Sequence, residues 1–93
     1  AEDVLFDGEC VCRIATPRIE QPVSTHGTGC SLSAAIAAAL ACGKPLLDAV
    51  VEGKAYVYES IRTGIWVGEA AAVLGTPARL PVEQVRIDNV QPA

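Results

Sequence analysis

The stretch Thr25-His26-Gly27-Thr28-Gly29-Cys30-Ser31-Leu32-Ser33-Ala34-Ala35-Ile36-Ala37-Ala38 carries the pattern from which the fold is read. Gly27-Thr28-Gly29 stands directly before a run in which Leu32, Ile36, Ala39 and Leu40 recur at helical spacing. That run predicts a helix over residues 31–42, with Gly43 as its C-terminal cap. A glycine loop that opens into a helix lets several backbone N–H groups converge with the positive end of the helix dipole. Such a place is a preformed anion site, and phosphate is its commonest occupant. Glycine is suited to it because the backbone must come close to the ligand. Thr28 and Ser31 add hydroxyls, and Ser33 falls in the first turn. Taken alone, the same residues also read as an ordinary glycine turn with a Ser/Thr cap.

Upstream, residues 4–6 read as a short strand closed by Asp7-Gly8-Glu9, Asp-Gly being a strong hairpin signal. Residues 10–15 return as a second strand, which Thr16-Pro17-Arg18 ends. Residues 19–24 form an extended connection to the glycine loop. Downstream, Pro45 opens a second helix predicted over residues 46–65, with Leu46, Val50, Gly53, Val57, Ile61 and Ile65 along one stripe. Gly53 in that stripe implies close approach of the helix to a sheet. Residues 69–74 read as a short helix, and residues 82–87 as a strand or ordered tail. Two short strands, a glycine anion loop and two long helices make an α/β order. No internal repeat is present.

Three better-known phosphate motifs fail on spacing. A Walker A loop needs a lysine after its last glycine, and none follows here. A dinucleotide fingerprint needs a third glycine where Leu32 stands. A cysteine-dependent phosphatase would need an arginine at the place of Ile36. What remains is a glycine loop with a thiol, Cys30, where other motifs put a cation.

Composition limits the function. Ninety-three residues fit at most one small domain, which buries only about 60–65% of its unfolded surface. Half the residues are hydrophobic, against disorder. Seven basic and eleven acidic residues give a net charge of −4. The basic residues are scattered, which speaks against nucleic acid as a partner. No apolar run reaches the roughly 18–20 residues of a membrane span. The chain therefore reads as soluble and cytoplasmic. It has no Met and opens in a strand-like run, as a segment of a longer protein would. Cys10, Cys12 and Cys42 read as small packing residues. A zinc site is not expected, since Cys-x-Cys is too tight and there is a single His.

The fourteen-residue core resembles the carboxy-terminal signature of hydroxymethylpyrimidine and phosphomethylpyrimidine kinases, within the ribokinase-like superfamily. Asp3-Val4-Leu5-Phe6-Asp7-Gly8, Pro17-Arg18-Ile19 and Lys54-Ala55-Tyr56-Val57 are similar to that family as well. The resemblance covers residues 3–66 of a single segment spanning 1–93, and leaves 67–93 unexplained. The family often carries a Gly-rich, His-containing tail after the place of Trp66, and this chain does not.

The resemblance implies a carboxy-terminal fragment of a ribokinase-like three-layer fold. It implies ATP-dependent phosphorylation of a hydroxymethyl or phosphomethyl pyrimidine in thiamine biosynthesis, with ATP and Mg2+ as cofactors. Gly27, Thr28, Gly29 and Cys30 would form the anion hole for the transferring phosphoryl group. Cys30 would be the base that accepts the substrate hydroxyl proton, helped by the tendency of thiols at helix N-termini to ionise. A small helix-entry residue is the plainer reading of Cys30. A loop-fixing role is the plainer one for His26, and a solvated surface position for Lys54, ahead of ligand contact. A pyridoxal-type vitamin kinase and a non-catalytic nucleotide-binding or structural fragment remain as alternatives. Homo-oligomerisation, or packing on the remainder of a kinase domain, is expected, and the fragment alone is expected to be inactive.

Overall fold

The computed structural model describes residues 2–19, 28–67, 71–73, 75, 77 and 79–92. The chain order is β1 (Glu2–Phe6), β2 (Cys10–Ala15), α1 (Thr28–Ala41), α2 (Leu46–Arg62), β3 (Ile65–Val67), β4 (Ala71–Val73), a 3₁₀ turn (Val82–Gln84) and β5 (Arg86–Pro92). β1 and β2 form the expected hairpin, pairing antiparallel from Glu2↔Ala15 to Phe6↔Val11. Its turn is built by Asp7, whose carboxylate accepts hydrogen bonds from the Glu9 and Cys10 amides at 2.9 and 2.8 Å. Gly8 takes φ +99°, a left-handed conformation that favours glycine. These two amides hold the Asp7 carboxyl below the ordinary aspartate value.

Pairing sets the two faces of this sheet. Cys10, Cys12 and Ile14 alternate toward the helices, and Cys12 and Ile14 are buried. Val4 and Phe6 project from the opposite face and are largely exposed. There Glu2 and Arg13 form a loose diagonal ion pair at 3.9 Å. β5 pairs antiparallel with the other side of β2, with a register shift between Val11 and Arg13, and gives the sheet order β1-β2-β5. The last strand thus belongs to the sheet founded by the first two.

α1 begins at Thr28, three residues before its predicted start. Thr28, Gly29 and Cys30 are therefore the first turn of the helix itself. It ends as Gly43 demands: φ is +87°, and the Lys44 amide donates back to the Ala39 carbonyl at 3.1 Å, closing a Schellman-type cap. α2 starts after Pro45, whose carbonyl accepts the Ala49 amide at 2.9 Å. It stops at Arg62, short of the predicted residue 65. Thr63 folds back through both its amide and its hydroxyl onto the Glu59 carbonyl, and Ile65-Trp66-Val67 leave as a strand. β3 pairs with β4 through Ile65↔Val73 and Val67↔Ala71. This overturns the short helix expected over residues 69–74, where cross-strand pairing prevails over the helix propensity of the alanines.

Gly53 corrects another expectation. The surface brought close by its missing side chain is α1, not the sheet. A Cβ at Gly53 would meet Ile36 Cγ1 at 2.7 Å and Leu32 Cδ1 at 3.4 Å. α1 and α2 pack through this notch. Cys12 packs in the core as expected, but Cys42 is exposed at the end of α1.

Candidate phosphate-binding turn

The first N–H groups of any α-helix lack partners within it. Here they belong to Thr28, Gly29 and Cys30. The first turn of α1 contains no acidic residue, so no side chain of its own offsets the positive end of the dipole. Gly29 and Cys30 are exposed and Thr28 half-buried. The turn presents amide donors, a threonine hydroxyl and a thiol, with Gly29 and Cys30 open to approach. Gly27 and His26 lie outside the described residues.

Among the described residues, nothing near position 29 demands glycine. A Cβ built there meets nothing within 4 Å, and the backbone is not left-handed. Ser31 faces away from this opening, into a groove of about 510 Å3 between α1 and α2. One wall is alanine from α1; Glu52 and Tyr56 come from α2.

Lys54 is not the solvated lysine that sequence favours. It is 8% exposed, and its Nζ donates to Asp3 Oδ2 at 2.6 Å, tying α2 to β1. A buried ammonium needs such a partner. The signal was available: Lys54 lies four residues after Val50, on the inward edge of the helix. Together they border a cavity of about 210 Å3 with Asp3, Leu5, Ile14 and Leu32.

Among the described residues, no three His, Cys, Asp or Glu side chains converge as a metal site. Amide donors and a thiol are poor ligands for a hard, oxygen-seeking ion such as magnesium. The residues of the turn do not fit a magnesium site.

The family model for phosphomethylpyrimidine kinase matches residues 1–74. The chain belongs to the phosphomethylpyrimidine kinase family. Within it, the chain is 52% identical over 61 residues to the hydroxymethylpyrimidine/phosphomethylpyrimidine kinase of Rhizobium meliloti, covering 66% of this chain and 23% of that protein. A putative pyridoxine kinase of Staphylococcus epidermidis is 29% identical over 86 residues, covering 92% of this chain and 31% of its own length. Among solved structures, the pyridoxal kinase from Staphylococcus aureus in complex with AMP-PCP superposes with a TM-score of 0.80 at 29% identity. That likeness covers 94% of this chain and 32% of the solved one. The chain thus spans a third or less of the length of these relatives. Its strands and helices are part of a ribokinase-like fold, as the sequence implied.

Proposed function

We propose that this chain supplies the phosphoryl-binding turn of a kinase that transfers the γ-phosphoryl group of ATP to hydroxymethylpyrimidine or its phosphate in thiamine biosynthesis. The observation that carries the reading is the first turn of α1: free of acidic residues, with Gly29 and Cys30 exposed, and with a glycine at position 29 that none of the described residues demands. Phosphoryl transfer depends on positioning and on stabilising charge spread over the phosphoryl oxygens. The amides of Gly27, Thr28, Gly29 and Cys30 would receive those oxygens. The substrate hydroxyl would give its proton to the Cys30 thiolate as its oxygen attacks the γ-phosphorus, and ADP would leave with the electron pair of the broken P–O bond. Magnesium would come bound to the nucleotide phosphates, held by residues other than those of this turn. The cytoplasm is the compartment that fits such an enzyme. The rest of a kinase domain, or a second copy, would cover the apolar faces this chain exposes.

A pyridoxal-type kinase is the second reading. It is favoured by the pyridoxine kinase relative and the pyridoxal kinase structures, whose likeness runs through residues the Rhizobium match leaves out. The test is a titration of the chain with ATP-Mg, following the Gly29 and Cys30 amide resonances. Selective shifts at these amides support the reading. Their absence at millimolar nucleotide would leave α1 with a structural start only. Comparing turnover of hydroxymethylpyrimidine and pyridoxal by a longer kinase that contains this segment then separates the two substrates.

A further inference from the structure

We draw no further inference here: the strongest candidate, the apolar groove of about 510 Å3 between α1 and α2, carries nothing because nothing in the structure shows what covers it.

Discussion

On the proposed reading, backbone and side chain divide the work at the start of α1, and substitutions separate them. If the Cys30 thiolate takes the substrate proton, Cys30→Ala in an active kinase containing this segment lowers kcat by about 10²–10⁴-fold, the range for loss of a general base. Nucleotide affinity stays nearly constant, because alanine keeps the amide. Cys30→Asp restores part of the rate, and the acidic limb of the pH profile moves downward, since a carboxylate titrates below a thiol. Near-normal kcat in Cys30→Ala would put the base elsewhere. Gly29→Val tests the other half. A Cβ at position 29 meets none of the described residues within 4 Å, so valine is expected to leave the fold intact, which circular dichroism checks. On the proposed reading it stands where a phosphate approaches, so ATP binding is expected to weaken together with turnover. Unchanged ATP affinity would overturn the amide cradle. The helix that follows Gly29 is legible in sequence from its apolar periodicity, whereas the glycine turn alone reads equally as an ordinary helix cap. The inward position of Lys54, four residues after Val50, is legible too, but its partner Asp3, fifty-one residues away in the chain, is not.

Two elements carry stability tests. The β1–β2 turn depends on the Asp7 carboxylate, whose value is lowered by the Cys10 and Glu9 amides. A group lowered in the folded state contributes stability that is present above its unfolded value and is lost as pH falls through the folded one. Part of the acid sensitivity of the chain below about pH 4 is therefore assigned to this turn. Asp7→Asn keeps an acceptor oxygen for both amides and removes the titration, so its denaturant midpoint falls less steeply between neutral and acidic pH. A slope equal to that of the parent would exclude Asp7 as a contributor. At the helix pair, Gly53→Ala gains about 1 kcal/mol of helix propensity and loses about 1–3 to overpacking against Ile36. The contact is with Cγ1, close to the backbone of Ile36, so overpacking wins. A net loss of about 1 kcal/mol in urea unfolding is expected, and a raised midpoint would show that α1 yields freely. The helix pattern disclosed that Gly53 mattered, but not its partner, since periodicity marks an inward face without saying what lies opposite. The same limit explains β4: an alanine-rich run has helical propensity, and only pairing with β3 makes it a strand. β5 was visible merely as a possible strand, and its place beside β2 is a long-range pairing that no local signal encodes.

Scale changes the meaning of the exposed apolar residues. The chain exposes 6028 Å2, against about 5,100 Å2 for a typical folded protein of its mass. The excess of about 900 Å2 is close to what one partner contributes to a standard interface. α1 buries no residue fully, and Val4 and Phe6 are exposed on β1, at one edge of the described sheet. β5 at the other edge carries Arg86 and Asp88, whose side chains are hydrogen-bonded at 2.8 Å. An unguarded edge and an apolar helix face together lead to association when no further layer covers them. Sedimentation velocity of the 93-residue chain is thus expected to show self-association that grows with concentration. Val4→Lys, at an exposed position, is expected to weaken it without loss of circular-dichroism signal. The associated chain is still expected to lack efficient kinase turnover, because the α1 turn has no substrate held opposite it by this segment alone. A chain that stays monomeric throughout the concentration series and binds no hydrophobic dye would refute the covering argument. Robust phosphorylation of hydroxymethylpyrimidine by the purified chain would refute the assignment of substrate binding to other parts of a kinase domain. The two outcomes are independent, since the first reads surface chemistry and the second reads the completeness of a site.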